Sequence, residues 1–132
     1  MENLFSSSRE ANEVSTDALA FIGDAICTLY YRLRFLGEGS RRTSVEHERI
    51  TAFVSSKGQS MAYEALIGSL DEEERRIMRR GFNSRGAKRH GDDLEYRRAT
   101  ALEALFGYLF LKKKYQRIRE LLEAVISVVS SR

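Results

Sequence analysis

Apolar residues recur at helical spacing along most of this chain. The intervals of three and four residues are typical of amphipathic helices, and the sequence has no proline to interrupt them. The predicted helices cover about 16–36, 44–54, 61–66, 70–80, 96–111 and 115–129. The pattern therefore predicts an all-α protein built as a helical bundle.

Residues 1–14 lack this periodicity and are predicted to form a flexible N-terminal arm. The remaining residues, 15–132, are expected to form a single domain. A chain of 132 residues that is 42% hydrophobic and 31% charged can bury one modest core.

The first predicted helix carries an acidic residue in its middle, Asp24. Its apolar residues fall on one stripe, which predicts the buried face: Leu19, Ile22, Ile26, Leu29, Tyr30 and Leu33. Asp24 lies on the opposite side of the helix, in a sector that also holds Asp17, Ala20, Phe21, Thr28 and Tyr31. Gly23 has low helix propensity, so its position indicates close approach by another backbone or by a ligand. The alternative is a solvated acid beside a packing glycine.

The helix predicted over 96–111 is apolar around most of its circumference and should be buried. Glu103 is the only acid in this run, at the edge of the apolar stripe. A carboxylate in such a place must be paired, protonated or bound to a cation, because an isolated buried charge is costly. A salt bridge to an arginine and a metal site are both compatible with it.

Basic residues are concentrated between Arg75 and Arg98. This stretch holds nine lysines or arginines against three acids, in a chain whose whole net charge is +3. Several glycines and polar residues predict a flexible loop at 81–94. A flexible basic loop suits a polyanion, since arginine and lysine neutralise phosphates, but a solvated loop is the alternative. Lys57 is a further candidate for a phosphate contact.

Three blocks resemble the signature blocks of the Mini-ribonuclease III family. They are Asp-Ala-Leu-Ala-Phe-Ile-Gly-Asp-Ala-Ile (17–26), Arg-Arg-Gly-Phe-Asn-Ser-Arg (79–85) and Tyr-Arg-Arg-Ala-Thr-Ala-Leu-Glu-Ala-Leu-Phe-Gly-Tyr-Leu (96–109). Their order and spacing also agree with the family, which makes the resemblance more specific than one short motif. It covers roughly residues 16–126 and implies a single ribonuclease III-like endonuclease domain.

The resemblance implies a metal-dependent phosphodiester hydrolase. Asp24 and Glu103 match the aspartate and glutamate that are magnesium ligands in the ribonuclease III class, so they are the expected catalytic and Mg²⁺-binding residues. Full-length ribonuclease III carries further acids where this chain has Ala20 and Thr100, and both departures are typical of the miniature family. We also hypothesise that Asp17, seven residues before Asp24, adds an outer-shell carboxylate to the metal site.

The resemblance further implies how RNA is bound. The basic loop is the segment that enters an RNA duplex in the family, which implies contacts from Arg80, Asn83, Ser84, Arg85, Lys88 and Arg89. Arg79 and Lys57 complete the set of expected RNA-binding residues. A homodimer is expected, because cutting both strands of a duplex needs two sites related by a two-fold axis. The resemblance places Phe21 at the interface of this dimer. The implied substrate is double-stranded RNA, in particular the paired ends of a large-subunit (23S) ribosomal RNA precursor.

The alternative function is a non-catalytic helical RNA-binding or ribosome-assembly module with the same fold. It shares the basic loop, so charge does not separate it from the enzyme, whereas the presence of both Asp24 and Glu103 favours the enzyme. A helical protein-interaction domain is a third possibility, and it predicts no affinity for nucleic acid.

Neither an apolar run of about 18 residues nor a leader with a cleavage site is visible in the sequence. We therefore expect a cytoplasmic protein that does not associate with a membrane. Cys27, the single cysteine, is expected to be a core residue.

Overall fold

The computed structural model describes residues 2–36 and 43–130, with the side chains of 4–36 and 48–130. Within these ranges the chain is helical and contains no strand, which confirms the predicted all-α class. The helices are α1 (Thr16–Leu36), α2 (Thr43–Val54), α3 (Ser56–Leu66), α4 (Glu72–Phe82), α5 (Leu94–Leu111) and α6 (Tyr115–Ser130). Short 3₁₀ turns lie at Glu2–Phe5, Ala11–Glu13, Ile67–Ser69 and Ala87–His90.

Helix α5 is the centre of the bundle. It packs against α1, α3, α4 and α6, and its residues from Ala99 to Leu109 are buried with one exception, Glu103, which is partly exposed. The prediction of a buried apolar helix is confirmed. Because α5 runs through the middle of the domain, a polar side chain on it is surrounded by helices from several directions.

The buried face of α1 differs from the predicted one. The structure buries Leu19, Ala20, Gly23, Cys27, Tyr31 and Phe35. The prediction that Ala20 and Tyr31 face outward was wrong, and so was the prediction that Leu29 and Leu33 are buried, since they are 44% and 62% exposed. The reason is that α5 crosses α1 along its small residues, which allow a closer approach than the leucines would. Asp24 is exposed, as predicted, and Cys27 is buried, as predicted.

Helix α4 is longer than the sequence pattern indicated, which shortens the basic loop. Gly81 and Phe82 were assigned to the loop, but they form the last turn of α4, and Gly81 is buried against Ala101 of α5. At the other end Asp93 caps α5 by accepting a hydrogen bond from the backbone of Tyr96 at 3.1 Å. The connection is therefore 83–93, and it contains the 3₁₀ turn Ala87–His90.

Helix α4 is capped at its N-terminus by Asp71. The Asp71 carboxylate accepts a hydrogen bond from the backbone N–H of Glu74 at 2.8 Å, and the Glu74 carboxylate accepts one from the N–H of Asp71 at 3.0 Å. This reciprocal capping box satisfies two backbone donors that a helix end leaves open. The Glu74 side chain is buried, and Arg117 of α6 binds both of its oxygens at 2.8 Å. The pair joins α4 to α6.

We expect Glu74→Gln to lower the free energy of unfolding by about 2 kcal/mol at neutral pH, because it removes charge-assisted hydrogen bonds. The hydrogen bond from Arg117 lowers the pKa of Glu74 below its ordinary value of 4.5. A carboxyl group whose pKa is lowered in the folded state stabilises the fold fully at pH values above its unfolded pKa. This contribution is lost as the pH falls from the unfolded pKa through the lower folded pKa. Urea denaturation at pH 7 and pH 3 measures the difference between wild type and variant. An equal difference at both pH values would contradict the assignment.

The segment before α1 contacts the body of the domain. Ala11 is buried in a small apolar cluster with Leu19, Ile77 and Tyr108, and the ring of Phe5 packs edge-on against Phe110, with ring centroids 6.4 Å apart. The division into an arm at 1–14 and a domain at 15–132 stays a prediction. Among the described residues, no helix is both long and apolar enough to span a bilayer.

Candidate active site

Two glycines set the distance between α1 and α5. A Cβ atom added to Gly23 would lie 1.7 Å from the backbone oxygen of Glu103, and one added to Gly107 would lie 1.9 Å from the backbone oxygen of Leu19. Each helix thus presses a glycine onto a carbonyl of the other. The prediction that Gly23 marks the close approach of another backbone is confirmed, and the partner is α5.

This crossing brings Asp24 and Glu103 together. Gly23 contacts the backbone of Glu103, and Asp24 is the next residue along α1. The side chains of Asp24 and Glu103 line the same depression. The sequence separates these two residues by most of the chain, and the helix crossing makes them neighbours.

Glu103 is the less exposed of the two carboxyl groups, and its pKa is strongly raised. Burial raises the pKa of Glu103 from 4.5 to about 8, with a further contribution from the negative charge of Asp24. The amide of Gln59 acts in the opposite direction by donating a hydrogen bond to Glu103 Oε2 at 3.1 Å. Within the described part of the chain, Glu103 accepts a hydrogen bond from Gln59, and the salt bridge to an arginine considered above is not found there.

The two carboxyl groups open into a depression of about 320 Å³. Its lining combines acidic, aromatic and basic side chains: Asp17, Ala20, Phe21, Asp24, Gly86, Arg89, Tyr96, Thr100 and Glu103. Ala20 and Thr100 are the positions at which full-length ribonuclease III carries acids. Their small side chains leave room beside Asp24 and Glu103.

Asp17 joins the basic loop to the same depression. Both of its carboxylate oxygens lie 3.2 Å from the backbone nitrogen of Gly86, which donates to them. A Cβ on Gly86 would lie 2.5 Å from Asp17 Oδ1, so a larger residue there would displace the Asp17 carboxylate. Asp17 therefore has a structural contact in addition to its hypothesised outer-shell role, which stays a prediction.

The predicted RNA-binding residues of the loop itself fall into two groups. Arg85, Lys88 and Arg89 have exposed side chains and line a surface pocket next to Asp17. Asn83 and Ser84 instead hold the loop in place. Asn83 bonds Arg97 and the backbone of Arg79, and Ser84 Oγ accepts a bond from the N–H of Ala87 at 3.1 Å.

The remaining predicted contacts are exposed on neighbouring helices. Arg79 and Arg80 lie in the last turns of α4, which leads into the loop. Lys57 lies in the first turn of α3, two residues before Gln59. Their place in RNA binding stays a prediction.

An apolar groove lies on the other side of Asp24. Its volume is about 630 Å³, and its lining includes Phe5, Phe21, Ile26, Leu29 and Phe110. The side chain of Phe21 is 82% exposed, the largest exposed fraction among the large apolar residues that the structure describes. Such exposure is unusual for an aromatic residue and indicates an interaction surface.

The donor set at the carboxylate pair fits a hard divalent cation. Mg²⁺ prefers oxygen ligands, keeps several of its waters and commonly takes one or two carboxylates from the protein. A cation at Asp24 and Glu103 would offset both the burial of Glu103 and the repulsion between the two groups. Among the residues whose side chains the structure describes, 4–36 and 48–130, there is no cluster of three or more acidic, histidine or cysteine residues suited to a metal.

Comparison with known proteins identifies the family. Residues 17–114 match the family described as the Ribonuclease III domain, which is most of the chain. A Mini-ribonuclease 3 of Kosmotoga olearia is 51% identical over 98% of this chain and 90% of the relative.

This chain belongs to the Mini-ribonuclease 3 group of the ribonuclease III family.

A second Mini-ribonuclease 3, from Brevibacillus brevis, is 33% identical over 92% of each chain. Among solved structures, the crystal structure of a Fusobacterium nucleatum protein matches with a TM-score of 0.79 and 36% identity, over 91% of this chain and 98% of the other. The family recognised from the three sequence blocks is confirmed, as is the enzyme class, an endoribonuclease.

Two features of this Mini-ribonuclease 3 site were not predicted from the sequence. Gln59 lies in a stretch of polar residues at the start of α3, and nothing in its sequence context distinguishes it from an exposed glutamine. The contact between Asp17 and Gly86 joins residues far apart in the chain. The sequence drew attention to Asp17 only through its position seven residues before Asp24, and this did not identify Gly86 as its partner.

Proposed function

We propose that this protein is a Mg²⁺-dependent endonuclease that cleaves double-stranded RNA as a homodimer. One observation carries the proposal: the carboxylate pair Asp24–Glu103 and the basic residue Arg89 line the same depression. A phosphate group bound by the basic loop would therefore lie next to the carboxylates. Membership of the ribonuclease III family supports the same chemistry.

Asp24 and Glu103 are the proposed Mg²⁺ ligands. When bound there, Mg²⁺ would supply a water of lowered pKa and stabilise the negative charge that develops on the scissile phosphate. The two carboxylates would hold the metal ion at one point of the depression. Helices α1 and α5 fix the relative position of the two carboxylates through Gly23 and Gly107. Exposed Arg85, Lys88 and Arg89 would bind the backbone phosphates on the loop side.

The proposed function is tested with an end-labelled RNA duplex, the corresponding single strand and a DNA duplex of the same sequence. We expect cleavage of the RNA duplex in Mg²⁺ and none in EDTA, with little cleavage of the other two substrates. Equal cleavage of single-stranded RNA would contradict the preference for a duplex. Cleavage in EDTA would contradict the dependence on metal.

The basic loop is expected to account for part of the salt dependence of RNA binding. For duplex DNA, each phosphate contact contributes about 0.9 to the slope of the logarithm of the binding constant against the logarithm of the salt concentration. The double variant Lys88→Ala/Arg89→Ala should therefore lower that slope by about 2. Fluorescence anisotropy in Ca²⁺ from low to high salt measures it. Arg119→Ala, an exposed arginine on α6, is the control. An unchanged slope in the double variant would rule out phosphate contacts at these two positions.

Dimerisation is expected to depend on Phe21. Burying an aromatic side chain gains about 1.5–3 kcal/mol, and a two-fold interface buries Phe21 of both copies. We expect Phe21→Ala to weaken the dimer by about 100-fold or more. Sedimentation equilibrium measures the dissociation constant. Ile67→Ala is a matched control, because Ile67 is a partly exposed apolar residue away from the groove. A Phe21→Ala dimer that stays intact at micromolar concentration would contradict the assignment.

The cellular substrate proposed from the family resemblance is the paired ends of a large-subunit (23S) ribosomal RNA precursor, in the cytoplasm. A transcript of that precursor is expected to be cut at one position on each strand of the paired ends. Cuts scattered along the stem would argue against this substrate.

A further inference from the structure

The amide of Gln59 contacts one of the two candidate metal ligands. Gln59 Nε2 donates to Glu103 Oε2 at 3.1 Å and approaches the backbone oxygen of Val54 at 3.4 Å. The residue is only 4% exposed, so its amide has been moved out of water. A buried amide of this kind is costly unless its hydrogen bonds are satisfied, and Glu103 is its best-placed partner.

The chain reaches this arrangement through a tight turn between α2 and α3. Ser55 caps α3 by accepting a hydrogen bond from the N–H of Gly58 at 3.1 Å. A Cβ on Gly58 would lie 2.0 Å from the backbone oxygen of Ala52, so the glycine lets the first turn of α3 press against the end of α2. The next residue, Gln59, is thereby held beneath α5 with its amide at Glu103.

Glu103 consequently has a neighbour on each of two other helices. Gln59 of α3 donates to Oε2, and Asp24 of α1 lines the same depression as Glu103. With one oxygen occupied by the amide of Gln59, the rotation of the Glu103 carboxyl group about its last bond is restricted. The carboxyl group is thereby held at the depression that it shares with Asp24.

We propose that Gln59 is a positioning residue for the metal site, which orients the Glu103 carboxylate so that Glu103 and Asp24 bind one Mg²⁺ ion together. The inference rests on the proposed function and adds a residue from a third helix, α3, to the pair from α1 and α5. Partners of this kind, which hydrogen-bond a metal ligand, change metal affinity or activity about 10- to 100-fold when they are removed.

A role in packing alone is the competing explanation. The neighbouring residue Ser60 provides a comparison, since it is also buried on α3 but its hydroxyl lies 3.5 Å from Arg98 and not at Glu103. If burial of a polar group on α3 were all that mattered, changes at 59 and 60 would affect the protein in the same way. If Gln59 positions Glu103, only changes at 59 should affect Mg²⁺.

The test compares Gln59→Met, which keeps the length of the side chain and removes the amide, with Ser60→Ala. Gln59→Asn is a second variant, because it keeps an amide that is too short to reach Glu103. Mg²⁺ binding is measured without RNA, by calorimetry and by the rise in melting temperature on titration with MgCl₂. Cleavage is then measured over a range of duplex and Mg²⁺ concentrations.

We expect both Gln59 variants to weaken Mg²⁺ binding by about 10- to 100-fold and Ser60→Ala to leave it unchanged. The KM for duplex RNA should stay the same, while kcat at low Mg²⁺ falls and recovers at high Mg²⁺. Lower melting temperatures with an unchanged Mg²⁺ titration would overturn the proposal and assign Gln59 to packing. A wild type that binds Mg²⁺ but does not cut duplex RNA would refute the proposed function alone, and the same Mg²⁺ titrations would still decide the role of Gln59.

Discussion

Gly107→Ala is expected to destabilise this protein by at least about 3 kcal/mol, near the upper end of the usual cost of overpacking a core. The added Cβ would lie 1.9 Å from the backbone oxygen of Leu19. A backbone atom cannot rotate away as a flexible side chain can, so α1 and α5 would have to separate. Gly23→Ala should have an effect of the same size, since its Cβ would meet the backbone oxygen of Glu103 at 1.7 Å.

Urea denaturation of the wild type and the two glycine variants measures this effect. Gly68→Ala is the matched control, because a Cβ at Gly68 would have no heavy atom within 4 Å. The control should change the free energy of unfolding by less than about 1 kcal/mol in either direction. If Gly107→Ala were as stable as Gly68→Ala, the close crossing of α1 and α5 would be wrong, and with it the contact between Asp24 and Glu103.

The sequence was sufficient to predict most of the helices and the elements that carry the site. Helix α5 was identified by an apolar run on all sides. Gly23 was recognised as a point of close approach because a glycine in the middle of a helix is otherwise unfavourable. These signals are local, so they can be read from a single sequence.

The buried face of α1 could not be predicted in the same way. Periodicity favours the stripe with the largest apolar residues, which includes Leu29 and Leu33, yet the core covers Ala20 and Gly23. The small residues face α5 because they let two backbones meet. The leucines stay exposed on the side that also carries Phe21, where an interface between two copies is proposed.

The end of α4 and the neighbours of the carboxylates depend on tertiary contacts. Gly81 suggested a loop, but its lack of a side chain serves the packing of α4 on Ala101. Gln59 and Asp17 act through partners 44 and 69 residues away in the chain. Spacing within one helix contains no information on such contacts, and only the packed bundle reveals them.

Glu103→Gln is expected to lower the rate of duplex cleavage by about 10³-fold, or about 4 kcal/mol of transition-state stabilisation, because it removes one of two proposed metal ligands. Duplex binding should be unaffected, since the basic loop is intact. In EDTA the variant should be at least as stable as the wild type. The Glu103 carboxyl group is partly buried beside Asp24. A neutral amide of the same shape removes the unfavourable interaction between the two negative charges.

The proposed role of the carboxylate pair in cleavage is therefore tested by one paired experiment on wild type and Glu103→Gln. Cleavage of an end-labelled RNA duplex is followed in Mg²⁺, and binding of the same duplex is measured in Ca²⁺. We expect both proteins to bind with similar affinity and the wild type alone to cut. Cleavage by Glu103→Gln at a rate close to that of the wild type would contradict it, because the carboxylate pair would then have no part in the reaction.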